Sequence, residues 1–281
     1  MPTKHTIIAS ALGALLAVTA CDKASRDAGA FTSAGVTHLQ QGENDRAIRD
    51  FDRAIALRPG LVVAWRNRGL AYRGKGDFER ALADYDQATL LSPSDARLYV
   101  DRGQVYLATN DHARAMQDFD RAVGMKPDLA VALEYRGKTN FLLGNLAQAA
   151  ADLQRELSLD STNASVVLWL HIARQRLEQD DAGDFEAQAA RVDSTRWPAP
   201  VIRYFRGALT AKALRAAADT TAAGAKAEGC TIGFYLGEEA LVHGRRDEAR
   251  TLLEETRSGC PKELNEQRAA AAELKRLGAS R

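Results

Sequence analysis

From Ala28 to Ser161 one pattern returns every 34 residues. Gly35, Gly69, Gly103 and Gly137 mark it. Ala47, Ala81, Ala115 and Ala149 follow each Gly by twelve positions, and Phe51, Tyr85, Phe119 and Leu153 follow it by sixteen. Pro59, Pro93 and Pro127 close the first three copies. Small residues at fixed places let two antiparallel helices approach closely, bulky ones fill the space between neighbouring pairs, and Pro stops the second helix. One helical pair cannot bury its apolar face, whereas stacked pairs can, so the pattern predicts an all-α array of hairpins with a grooved surface.

These offsets resemble the tetratricopeptide (TPR) repeat, most fully in the second copy, with Trp65, Gly69, Tyr72, Ala81, Tyr85, Ala88 and Pro93. The resemblance implies an all-α TPR α-solenoid of helix-turn-helix hairpins with a C-terminal capping helix. Four hairpins fill residues 28–163 without insertion, as 28–61, 62–95, 96–129 and 130–163. Residues 164–229 read as a degenerate helical segment. Val166 to Leu177 is still an apolar helix, Asp180, Asp181 and Gly183 break the phase, and Trp197-Pro198-Ala199-Pro200 separates it from Val201 to Gly207. Leu209 to Ala218 is Ala-rich and helical, and Thr220 to Gly229 reads as a flexible loop. The pattern then resumes in Gly237, Ala249, Leu253 and Pro261, giving a fifth hairpin over 230–263 and a capping helix and tail over 264–281.

At the amino end Lys4 and His5 precede an apolar run from Ile7 to Ala20, too short to span a bilayer, which reads as a signal peptide over residues 1–20. Val18-Thr19-Ala20-Cys21 resembles the bacterial lipobox. That resemblance implies a lipoprotein acylated (palmitate-type chains) at Cys21, anchored to a membrane of the bacterial envelope and facing the periplasm, with inner and outer membrane both left open. Residues 21–29 are polar and small, a tether reaching about 30 Å when extended. Cys230 and Cys260 then remain, placed where antiparallel helices would bring them to one edge. In an oxidising compartment they predict a disulfide, worth about 3.5 kcal/mol on the chain-entropy relation.

Two charged columns share the repeat: Asp50, Asp84, Asp118 and Asp152, and Arg68, Arg102 and Arg136 directly before the Gly. Recurrence at every copy suits a structural pairing that fixes hairpin stacking better than it suits an active site. With 38 Lys and Arg against 37 Asp and Glu and only 6% aromatics, no basic, base-stacking surface is expected, so nucleic acid is disfavoured. The run from Gly69 to Gly76 approaches a P-loop, but Gly76 replaces the Mg-binding hydroxyl and the stretch is helical. His5, His38, His112, His171 and His243 lack metal spacing, no GxSxG elbow occurs, and Glu238-Glu239 and Glu254-Glu255 read as solvated helix faces. The expectation is no enzyme, no metal and no cofactor.

Binding is expected on the concave face formed by first helices. Its outward offsets hold Thr32, Val36 and Leu39, then Arg66, Leu70 and Arg73, then Arg97, Val100, Gln104 and Leu107, then Glu134, Lys138 and Phe141. This mixture of apolar and basic groups suits an extended, partly acidic peptide. The order of parts, with Leu168-Trp169-Leu170-His171-Ile172-Ala173, Trp197 before Val201 to Gly207, and Phe234-Tyr235-Leu236-Gly237-Glu238, resembles the NlpI family of envelope lipoproteins. The resemblance implies a non-catalytic adaptor, dimeric in the enteric case, that brings a processing protease to peptidoglycan hydrolases by raising their effective concentration. A second reading, of another class, is a pilotin-like assembly factor for an outer-membrane pore, pilus or barrel protein.

Overall fold

The computed structural model describes residues 23–218, 222–261 and 264–279. The signal peptide, Cys21 and Asp22 lie outside the described residues, as do positions 219–221 and 262–263. The chain divides into two compact units, one up to Asp111 and one from His112 onward. Within the described residues the regular structure is helical, and no helix is long and apolar enough to cross a membrane.

Unit 1 holds α1 (23–40), α2 (Asn44–Leu57), α3 (Val62–Gly74), α4 (Phe78–Leu91) and α5 (Ala96–Ala108). Helix starts are written locally: Asp77 accepts from the Arg80 N–H at the head of α4, and Asp95 from the Arg97 N–H at the head of α5. Pro59 and Pro93 follow the ends of α2 and α4 and prevent their continuation. The predicted tether is corrected here, since residues 23–29 already belong to α1. Ala24, Ala28 and Ala30 favour helix, Ala28 is buried, and no Pro interrupts the stretch.

The Gly column works as a contact column. A Cβ on Gly35 would lie 2.6 Å from the Phe51 ring, and one on Gly69 3.3 Å from the Ala81 carbonyl oxygen and 3.2 Å from Tyr85. Ala47, Phe51, Ala54, Ala64 and Ala71 form one core patch between α1, α2 and α3, and Ala81, Tyr85 and Val105 form the next.

Unit 2 holds α6 (His112–Met125), α7 (Ala130–Leu143), α8 (Leu146–Leu159), α9 (Ala164–Arg176), α10 (Ala182–Ala189), α11 (Ala199–Phe205), α12 (Ala211–Ala216), α13 (Ala222–Val242), α14 (Arg246–Gly259) and α15 (Asn265–Ala279). The same contact recurs at Gly137 against Leu153 and at Gly237 against Leu253, each 2.9 Å from a built Cβ. The expected loop from Thr220 to Gly229 is helical from Ala222, so α13 begins eight residues before Cys230 instead of at it. Alanines at 222, 223, 225 and 227 supply the helix propensity that outweighs Gly224 and Gly229. Cys230 and Cys260 still meet, because α13 and α14 are antiparallel, and they form the disulfide with Cα atoms 5.8 Å apart.

A second column runs through the turns. Gly42, Gly76, Asn110, Gly144, Glu178 and Gly244 all have positive φ, each seven residues after a marker position. In each turn the next residue's N–H returns to a carbonyl five residues back, as in Asp77 to Tyr72, Asn145 to Asn140 and Gln179 to Arg174. The pair α9 and α10 is therefore a hairpin in phase with the array. Sequence reading missed it because His171 stands at the marker position and Glu178 at the left-handed turn position.

Candidate partner-binding face

In unit 1 the first helices α1, α3 and α5 carry the predicted concave residues. Arg66, Leu70, Arg73 and Gln104 are half-buried and Arg97 is exposed. Val100 and Leu107 are not surface residues: both are buried to within 2% of full occlusion, so these apolar side chains serve as core. The basic groups are also less free than the sequence suggests. Arg66 Nε donates to Asp101 Oδ2 at 2.5 Å, and Arg73 Nη1 to Gln104 Oε1 at 2.5 Å, which ties α3 to α5. Burial works against the Arg66 charge, but bonding to and attraction from Asp101 outweigh it and hold the guanidinium firmly protonated. What remains is an inner face with Arg97 as its exposed cation, Arg66 and Arg73 already engaged, and Leu70, Val36 and Leu39 as half-covered apolar ground.

In unit 2 the corresponding face of α7 is closed. Phe141 is fully buried, its ring 5.1 Å from Trp169 and 6.4 Å from Phe234. Lys138 is buried too; its Nζ donates to Glu134 at 2.5 Å and to Ser165 Oγ at 3.1 Å, and lies 5.8 Å from the Trp169 ring centre. Helix α15 reaches α7 through Arg276, which donates to the Leu142 carbonyl at 2.9 Å. The predicted binding roles of Lys138 and Phe141 are thus corrected. Apolar residues of α9 and α13 occupy the concavity from inside the same chain, which the repeat pattern alone could not reveal.

The acid pair at Glu238 is corrected as well. Glu238 has no exposed surface and accepts from Arg176 at 2.8 Å, while Arg176 also meets Glu273 at 3.2 Å. Burial and the neighbouring Glu273 push the Glu238 carboxyl up. This group links α9, α13 and α15. Glu254 and Glu255 are exposed, as expected of a solvated face.

Three clefts among the described residues of unit 2 adjoin the short helices, the roomiest, of about 530 Å³, lying among Asn163, Ser165, Arg191, Asp193 and Trp197. A second, of about 390 Å³, lies among Ser165, Trp197, Pro198, Thr231, Tyr235 and Leu264. A third, of about 380 Å³, is walled by His171, Asp181, Phe185, Phe205 and Arg206. His171 Nδ1 lies 2.8 Å from Asp181 Oδ2, and its ring stacks on Phe185 at 4.0 Å. A His and Asp couple is two of the three members of a hydrolytic triad, but the lining offers no hydroxyl or thiol nucleophile. Its visible role is to hold the turn between α9 and α10. Among the described residues no group of three His, Cys, Asp or Glu is placed to hold a metal.

Antiparallel helical pairs, a Gly packed on a bulky residue sixteen positions on, and a left-handed turn residue define a repeat protein of the tetratricopeptide type. The tetratricopeptide repeat family model matches residues 8–62, 32–87 and 66–130. Solved structures share the fold. PilF of Pseudomonas aeruginosa is 15% identical with a TM-score of 0.56, covering 92% of this chain and 100% of that one. MamA is 17% identical with a TM-score of 0.51, covering 58% and 89%. YrrB, described as a TPR protein with an unusual peptide-binding site, is 17% identical with a TM-score of 0.50, covering 68% and 97%. No curated protein matches the chain. Tetratricopeptide domains bind peptide or protein partners, and the fold here is that of such an interaction module.

Proposed function

We propose that this protein is a non-catalytic adaptor of the bacterial envelope, lipid-anchored through Cys21, that holds periplasmic proteins on the inner face of unit 1. The observation that carries the reading is the contrast between the two units. The face made by α1, α3 and α5 stays accessible, whereas that of α7 is occupied by the chain's own aromatic residues. The partners fitting the resemblance in the sequence are a processing protease and peptidoglycan hydrolases, which supply the catalysis themselves while the adaptor raises their local concentration.

The test is a crosslinked pulldown from envelope extracts with the full-length acylated protein, compared with a chain carrying Leu70→Asp and Arg97→Glu. Retrieval of a protease or a peptidoglycan hydrolase by the parent and its loss in the variant supports the adaptor. Retrieval of a secretin or outer-membrane barrel protein in its place overturns it in favour of an assembly factor. Arg97 is exposed and Leu70 half-buried, and a far-UV circular dichroism spectrum equal to the parent's verifies that the variant is folded.

A further inference from the structure

Among the described residues of unit 1, four large apolar side chains are exposed: Leu57 (40%), Val63 (42%), Leu90 (73%) and Leu91 (42%). All four lie at one edge. Leu57 ends α2, Val63 is the second residue of α3, and Leu90 and Leu91 end α4. Isolated exposed leucines need no explanation, but a cluster at a recurring offset does. The offset returns in unit 2, where Met125 and Leu159 continue the 34-residue spacing of Leu57 and Leu91 and are 37% and 46% exposed.

The chain's own course says what this edge faces. Helix α1 is antiparallel to α2, so its first turn lies at the same edge, and Arg58 Nη1 sits 3.5 Å from Ser25 Oγ there. Upstream come Cys21 and the apolar run from Ile7 to Ala20. Only Asp22 separates Cys21 from Lys23, a two-residue step that reaches about 7 Å at most. Any surface to which Cys21 is fixed is therefore within touching distance of the edge. Lys23 and Arg58 are exposed at the same edge.

We propose that this edge of unit 1 lies on a lipid bilayer, with Leu57, Val63, Leu90 and Leu91 in the interface and Lys23 and Arg58 among anionic headgroups. The proposal rests on the anchored reading of Cys21, and it adds an orientation that the anchor alone does not impose. Apolar area and basic side chains on one edge reinforce each other at such a surface, where either alone binds weakly.

The experiment uses full-length acylated protein on vesicles of phosphatidylcholine and phosphatidylglycerol. An environment-sensitive fluorophore is attached in turn to Leu57→Cys, to Leu91→Cys and to Gln41→Cys, which lies in the turn at the opposite edge. The native cysteines are occupied by acylation and by the disulfide, so the introduced thiol alone reacts. The expected result is a blue shift and quenching by brominated acyl chains at 57 and 91, and neither at 41. Flotation with the vesicles but equal spectra at all three positions overturns the proposal and leaves the anchor standing. Failure to float with the vesicles overturns the anchor and the proposal together. A blue shift at 57 and 91 without vesicles that grows with protein concentration shows a second copy on the edge and also overturns it.

Discussion

At the scale of single residues, identical changes should have opposite effects. Gly124 has open space where a Cβ would go, and it lies within α6, so Gly124→Ala should stabilise by up to about 1 kcal/mol through helix propensity. At Gly35 the same propensity gain meets a buried Phe51 ring only 2.6 Å away, and overpacking of about 1–3 kcal/mol should win, so Gly35→Ala lowers the Tm. Glu178 holds φ of 56°, a conformation that costs a side-chain-bearing residue about 1 kcal/mol, so Glu178→Gly should raise stability by about that amount. Urea midpoints of the three variants against the parent check all three signs.

Glu156 adds a pH dependence. Burial pushes its carboxyl up to about 7, against a hydrogen bond from Asn163 that pulls it down. Below about pH 4.5 the group is protonated folded and unfolded alike. As pH rises toward 7 the unfolded chain releases its proton first, so this residue's contribution to stability is lost across that window. Glu156→Gln should therefore gain on the parent between about pH 5 and pH 8 in paired thermal melts. A constant difference in Tm over that range would contradict the assignment.

At the scale of elements, the Arg before the marker Gly in α3 and in α7 is a clamp. Arg68 makes two bonds to Asp84, at 2.9 and 2.7 Å, and one of 2.6 Å to Asp52, sixteen residues to either side. Arg136 repeats this with Asp152 and Asp120. It fastens its own hairpin's second helix and that of the hairpin before. Asp84 is buried whereas Asp52 is exposed, so Arg68→Met should destabilise by about 2 kcal/mol or more, and Asp52→Asn by less than about 1 kcal/mol. Chemical denaturation of the two variants makes the comparison, and partner capture should survive both.

The pairing of Arg68 with Asp84 and of Arg136 with Asp152, and the Gly contacts at Gly35, Gly69 and Gly137, were legible in the sequence because each is a local rule copied in tandem. What escaped was non-local or substituted. His171 in place of Gly hid the hairpin of α9 and α10, Gly224 and Gly229 disguised the start of α13 as a loop, and Glu238 resembled a solvated acid because its partner Arg176 lies 62 residues away. The concave residues were read as one free column, and the structure buries Val100, Leu107, Lys138 and Phe141 of it. Nothing in a 34-residue period announces that α13 and α15 return to that column.

At the scale of the whole molecule, two compact units predict unequal responses to reductant. The Cys230 and Cys260 bond closes a loop wholly within unit 2. Its reduction, or Cys230→Ser with Cys260→Ser, should lower that unit's stability by up to about 3.5 kcal/mol, seen as an earlier phase in urea unfolding. Fluorescence of Trp65, in unit 1, should keep its midpoint while Trp169 and Trp197 in unit 2 lose theirs early. Equal shifts at both reporters would contradict the assignment of the bond's effect to one unit.

The packing of Phe234 and Arg276 against α7 also bears on how such a chain could change in size. Duplicating a 34-residue cassette ahead of α7 would meet the same Gly, Arg and Asp rules on both flanks and extend the array. Duplicating it behind α8 would carry α13 and α15 away from the ring of Phe141 and the Leu142 carbonyl, and strip both of their cover. The protein can lengthen at its front and is sealed at its rear, so an engineer adding binding surface should splice upstream of residue 130.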